Sequence, residues 1–325
     1  PEHIARRRTR ATRIAVGTAA RDGPATAGRT RVLRSPRVMA EGTALGRASA
    51  RITRRCVAAA GLLCFFGGAT ACQSDAPEER PNIILISLDT VRRDAIGPYR
   101  HGEASITPHL DALARTGVVF DAAYAQMPFT LASHISMFTG LQPEVHGMLE
   151  KTERLSPDIA TLPQLLAAAG YGTLGLVTND WMKGDFGFDR GFDHYERVKY
   201  GLTYADRVNA RLLELLDQPS MNRDVPVFLF LHYLDAHSDF SRVTQNSLPY
   251  YAPPPYLREL GIDEQSKEFC DAEDRCATDF LLAAMASGRT IPDGTLAKLQ
   301  RLYEAGIRDL DAAAFETSIT LHKAF

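Results

Sequence analysis

From Pro81 onward the chain alternates short apolar runs with amphipathic stretches. Asn82 to Leu88 (NIILISL) and Val227 to Leu234 (VFLFLHYL) are continuous runs of β-branched, leucine and aromatic side chains. Runs without polar alternation suit strands buried on both faces. Thr173 to Val177 predicts a further strand and Val118 to Phe120 a short one. Thr107-Pro108 supplies the cap and first-turn proline of a helix that Gly117 closes. Residues 130–139, 161–169 (ended by Gly170), 204–216 and 296–314 predict four more helices. Strands alternating with helices predict an α/β fold, a doubly wound and mainly parallel sheet with helices on both faces. Residues 239–285, with their prolines and tyrosines, read as an irregular insertion over that sheet and not as a separate domain. There are no internal repeats.

Charge divides the chain. The 325 residues carry a formal net charge of −2, yet residues 1–55 hold 14 arginines, no lysine and three acidic residues. A basic, unpatterned stretch suits either a nucleic-acid tail or a targeting region. The adjoining residues favour targeting: Arg51 to Arg55 (RITRR) leads into an uncharged run, Cys56 to Ala71, and then Cys72. Basic, apolar and small residues in that order describe an export signal, and the run falls short of the ~20 residues of a membrane span. Ala69-Thr70-Ala71-Cys72 is similar to a bacterial lipoprotein cleavage box, without its usual leucine. The expected organisation is therefore an unstructured basic leader at 1–55, a signal or lipoprotein segment at 56–72, and one domain at 81–325. Such a protein resides in the bacterial cell envelope, periplasmic or on the outer surface, lipid-anchored at Cys72. Nucleic acid drops out as a partner, because most of the basic excess precedes the mature part. Cys270 and Cys276 bracket a polar loop and can pair in an oxidising compartment.

Open parallel sheets bind ligands beyond the carboxyl ends of their strands. Asp89, Asn179 and His237 each fall at or just after the end of a predicted strand. Asp89 offers a carboxylate to a hard divalent cation, with capping of the following turn as the alternative. Thr130 stands at the start of the 130–139 helix, where free N–H groups and the helix dipole favour anionic oxygens. A plain N-cap is the competing reading of that threonine. His134 lies one turn on, along the same face.

Five blocks, PNIILISLDTVRRD, TPHLDALARTGVVFDAAYA, TLASHISMFTGLQPEVHG, GFDRGFDHYE and FLHYLDAH, run in this order from about Pro81 to Asp311. Together they resemble the sulfatase family of the alkaline phosphatase superfamily. The resemblance implies hydrolysis of sulfate or phosphate esters and a divalent cation, calcium first, with magnesium, manganese or zinc as alternatives. It implies that Asp89 holds this cation, with Thr90 where the family has a second aspartate and Thr130 alongside. Thr130 matches the nucleophile, Ser133 the serine of the nucleophile block and His134 its arginine, while Ala132 replaces its proline. His237 matches the histidine that contacts the ester and protonates the leaving oxygen. Asn179 falls where the family has a Lys-x-His and can donate to a substrate oxygen. His146-Gly147 reads as a structural turn.

The departures change the expected chemistry. Sulfatases oxidise Cys or Ser to formylglycine; threonine carries a methyl on Cβ and cannot become that aldehyde. It remains a hydroxyl nucleophile, as in the phosphoethanolamine transferases of the superfamily. The family completes its metal shell with an Asp-His-Gly or Asp-Asn segment after a further strand, and none precedes Phe325. The sheet is accordingly expected to be incomplete at its C-terminal end and the chain to be a fragment. The expected function is an exported, metal-dependent hydrolase acting on a small-molecule or glycan sulfate or phosphate ester. A transferase passing a phosphoryl or phosphoethanolamine-type group through Thr130, and a non-catalytic anchored binding protein on a degenerate scaffold, are the alternatives.

Overall fold

A computed structural model describes residues 13–17, 80–100, 104–150, 153–198, 204–218, 224–238, 248–263, 267–270 and 276–324. All of these belong to one compact unit, Pro1–Asp22 with Glu79–Phe325. Residues 56–72, expected to be a signal or lipoprotein segment with a cleavage box at Cys72, lie outside the described residues.

Five parallel strands form one sheet: β1 (Arg13–Gly17), β2 (Ile83–Leu88), β3 (Gly172–Val177), β4 (His194–Arg197) and β5 (Val227–Tyr233), in the spatial order β1-β2-β5-β3-β4. The helices are α1 (Pro108–Thr116), α2 (Thr130–Thr139), α3 (Pro143–His146), α4 (Leu162–Ala168), α5 (Tyr204–Leu216), α6 (Pro254–Leu260), α7 (Ala277–Ser287) and α8 (Asp293–Ala324). The α/β class and the parallel sheet expected from the apolar runs are both present.

Strand parity explains the two layers. Successive side chains of a strand point to opposite faces. Val227, Leu229, Leu231 and Tyr233 of β5 join Ile84, Ile86 and Leu88 of β2 in one core, closed by Val208 and Leu212 of α5 and by Ile307 and Leu310 of α8. Phe228 and Phe230 point the other way, into a second core with Leu131, Ile135 and Phe138 of α2. The Phe138 ring packs edge-on to Phe230 at 4.9 Å. Helix α8 is tied to α1 by Asp311, whose two carboxylate oxygens accept the amides of His109 and Leu110 in the first turn of α1. A carboxylate there meets both orphan donors and the positive helix end.

Three local expectations are corrected, and one strand, β4, was not anticipated. Val118 to Phe120 form no strand and stand exposed. Residues 13–17, expected within an unstructured leader, pair with β2 as an edge strand; Ile14 and Val16 suit a strand, and the edge of β2 offers unpaired backbone groups. Strand β4 carries polar side chains (HYER) and so lacks the apolar run that revealed the others. The 239–285 stretch contains α6 and most of α7, and its Leu248, Leu257 and Phe269 bury against Leu299 and Leu302 of α8. Cys270 and Cys276 are joined in a disulfide.

Candidate active site

The carboxyl ends of β2, β3 and β5 meet the start of α2. In the register of the sheet Ser87 of β2 faces His232 of β5. Both share the parity of Phe228 and Phe230, so their side chains point toward α2. Asp89 follows with the parity of Ser87, and its amide makes the last ladder bond to Tyr233 O, 2.9 Å.

Three side chains converge there. Thr130 Oγ1, on the first residue of α2, donates to Asp89 Oδ2 at 3.0 Å. His232 Nε2 stands 3.2 Å from the same oxygen. Thr178 Oγ1, just past β3, lies 3.1 Å from His232 Nδ1 and fixes the ring from behind. The His232 side chain is fully buried and that of Asp89 nearly so. Burial disfavours the Asp89 charge, yet its hydrogen bond and electrostatic attraction to His232 outweigh this, aided by His134 and the Thr130 hydroxyl. The result holds the carboxyl well below the usual carboxylate range.

Helix α2 begins without a side-chain cap: Phe129 is its N-cap residue and makes none. The amide of Ser133 is used by Phe129 O, and the earlier first-turn amides have no partner within the helix. Thr130 is therefore not spent as a cap. Its hydroxyl is half-buried and aligned by a carboxylate at the positive end of a ten-residue helix.

His134 does not take the role expected for it. It is 5% exposed and turned into the core: Nε2 lies 2.8 Å from Ser87 Oγ and Nδ1 2.8 Å from Thr130 O. Its ring stands edge-on to His232 at 5.2 Å. Burial, then the proximity of His232, lowers its pKa to about 4, so it is neutral at pH 7. The spacing of 130 and 134 puts both residues on one face, as expected, but only the first turn of that face, at the half-buried Thr130, is open, while the His134 ring one turn on packs against the sheet. His134 is a pin between β2 and the first turn of α2. His134→Ala should lower unfolding stability by about 2–3 kcal/mol in urea titration, because it empties a core site and strands Ser87. A substrate-facing surface histidine would change stability by less than about 0.5 kcal/mol.

The remaining expected residues are placed as follows. Ser133 Oγ donates to Thr130 O at 3.2 Å. Asn179 is buried, and its Oδ1 accepts the Trp181 amide at 2.9 Å, capping a short turn. Thr90 Oγ1 donates to the carbonyl of Asp89 and its side chain is exposed. His237 is half-buried in the turn after β5. His146 buries in its own turn, with Nε2 2.9 Å from Ser136 Oγ, and Gly147 takes a positive φ of 75°, as read from the sequence. The residue missed was His232. It looked like part of an apolar strand, although a polar group inside a doubly buried strand needs a partner.

The donors present fall short of the cation that the resemblance implies. Asp89, Thr130 and His232 supply one carboxylate, one hydroxyl and one imidazole. Among the described residues no group of three or more His, Cys, Asp or Glu side chains is placed to hold a metal ion. Calcium takes six to eight oxygens, so these residues alone do not make its shell.

A sequence model of the family described as Sulfatase matches residues 81–312. An arylsulfatase of Clostridium perfringens is 35% identical over 95 residues, which cover 29% of this chain and 20% of that protein. An N-acetylglucosamine-6-O-sulfatase of Bacteroides thetaiotaomicron is 31% identical over 127 residues, 38% of this chain and 22% of that protein. Among solved structures, a phosphonate monoester hydrolase of Silicibacter pomeroyi superimposes with a TM-score of 0.50 at 18% identity, covering 75% of this chain and 60% of that one. The chain spans about a fifth of the length of the two sulfatases and 60% of the phosphonate monoester hydrolase.

Proposed function

Because the chain belongs to the sulfatase family, we propose that it cleaves sulfate or phosphate monoesters through a covalent adduct on Thr130. The observation that carries this reading is the Thr130 hydroxyl held 3.0 Å from Asp89 at an uncapped helix start. Asp89 orients and polarises this hydroxyl. A carboxyl held so acidic is a poor base, so Asp89 aligns the nucleophile without taking its proton. The first-turn amides of α2 offer donors to the non-bridging oxygens of the ester.

In the reaction, Thr130 Oγ1 bonds to phosphorus or sulfur as the bond to the ester oxygen breaks. The hydroxyl proton passes from Thr130 to solvent water, and the departing oxygen takes up a proton from water. Water then cleaves the adduct, restores the hydroxyl and releases the free anion. The cation expected in this family would lower the pKa of the hydroxyl; the donors of the described residues do not complete its site, and no step is assigned to it.

Threonine favours the phosphoryl branch. A formylglycine adduct expels sulfate by collapsing to an aldehyde, a route closed to a side chain with a methyl on Cβ. The same adduct, offered to an acceptor hydroxyl in place of water, gives a transferase. Incubation with an aryl phosphate labelled at phosphorus or an aryl sulfate labelled at sulfur, then acid quench and peptide mapping, separates these outcomes. Phosphorus label on Thr130 is expected. Sulfur label would assign sulfo transfer, and turnover with neither label on Thr130 would remove the covalent mechanism.

A further inference from the structure

Thr90 is the one non-glycine with a positive φ among the described residues, at 60°. The left-handed region is costly for a β-branched side chain, and such strain persists only where the surroundings impose it. The residue adjoins Asp89, so the turn it makes decides where that carboxylate points.

The turn is held from both ends. Upstream, the Asp89 amide is tied to β5 through Tyr233 O. Downstream, a single hydroxyl from a residue more than 200 positions away makes two backbone bonds. Tyr303, on α8, accepts the Arg92 amide at 2.7 Å and donates to Thr90 O at 3.0 Å. Its ring packs against the β2–β5–α8 core and edge-on to Tyr250 at 5.4 Å. The Arg92 side chain is engaged elsewhere, bidentate to Asp94. The Tyr303 hydroxyl thus closes the strained turn from the far side.

We infer that Tyr303 is a positioning residue whose hydroxyl locks the left-handed Thr90 turn and thereby aims Asp89 at Thr130. Its catalytic consequence rests on the reading of Thr130 as nucleophile; the lock itself does not. Tyr303→Phe keeps the ring and deletes both bonds. Thr90→Gly removes the strain, because glycine takes a positive φ freely.

The test is a double-mutant cycle read in two ways. The first is exchange of the Asp89 amide by NMR, a group that Tyr303 does not touch. Tyr303→Phe should speed this exchange about tenfold in the otherwise unmodified protein and less than about threefold in the Thr90→Gly background. Unchanged exchange, or an equal increase in both backgrounds, would overturn the inference, since loss of core packing alone is additive. The second is turnover of an aryl phosphate: kcat should fall about tenfold in Tyr303→Phe with KM within about twofold, and the Thr90→Gly background should shrink that loss. Unchanged kcat beside faster Asp89 exchange would overturn the catalytic half. If the unmodified protein turns over no ester, the proposed function fails while the exchange cycle still decides the lock.

Discussion

Thr130→Ala is expected to lower the turnover of aryl phosphates by at least about 10³-fold, about 4 kcal/mol of barrier, while Thr130→Ser keeps activity within about tenfold. The asymmetry follows from the site. Asp89 has one oxygen shared between the Thr130 hydroxyl and His232, and serine places an equivalent hydroxyl at the same distance. Alanine leaves the helix start intact, since Thr130 is not a cap, so melting temperature should move little. A plain structural threonine would behave the opposite way, with stability falling and turnover persisting. Steady-state kinetics and thermal melts on the three proteins decide between them. Retained turnover in Thr130→Ala would end the nucleophile reading.

The sheet was readable from the sequence because its central strands are buried on both faces. NIILISL and VFLFLHYL carry no polar alternation, and their shortness and their β-branched and aromatic content suit a doubly covered strand. The order of strands was not readable: β5 inserts between β2 and β3, a long-range choice that no local pattern encodes. Position alone, one at a strand end and one at a helix start, left Asp89 and Thr130 open to capping readings, and it was the five-block resemblance that singled them out. His134 was misplaced because spacing along a helix tells which residues share a face, not which way the face looks. Its neighbours Leu131, Ile135 and Phe138 are all buried, and that apolar stripe signalled that its side chain turns inward. His232 needed parity as well as run length. Counting in twos from Phe228 and Phe230 puts the histidine on the α2 face, directly opposite Ser87 and beside Asp89.

Asp235→Asn should make stability rise with pH between about pH 4 and 7, where the unmodified protein is almost flat. Asp235 follows β5, and its Oδ1 accepts the Ala205 amide in the first turn of α5 at 3.0 Å, while Oδ2 is buried with no hydrogen-bond partner. Burial is the main cause that raises its pKa from 3.8 to about 7, and Asp309 and Asp206 add repulsion. The folded state therefore holds this proton more tightly than the unfolded chain. The resulting stability is complete below about pH 4 and is lost as pH rises through 7, by up to about 4 kcal/mol. His134 acts with the opposite sign. Its pKa falls from 6.5 to about 4 on folding, so its contribution is present above 6.5 and is lost as pH drops through 4, by up to about 3 kcal/mol. The two slopes oppose each other over nearly the same window, and the unmodified protein should show an almost flat profile there. Asparagine preserves the bond from Ala205 and removes the titration. Urea unfolding of Asp235→Asn at half-unit pH steps should then show stability rising by about 2–3 kcal/mol from pH 4 to 7, the His134 slope laid bare. A profile as flat as that of the unmodified protein would mean that the Asp235 carboxyl stays charged where it is buried.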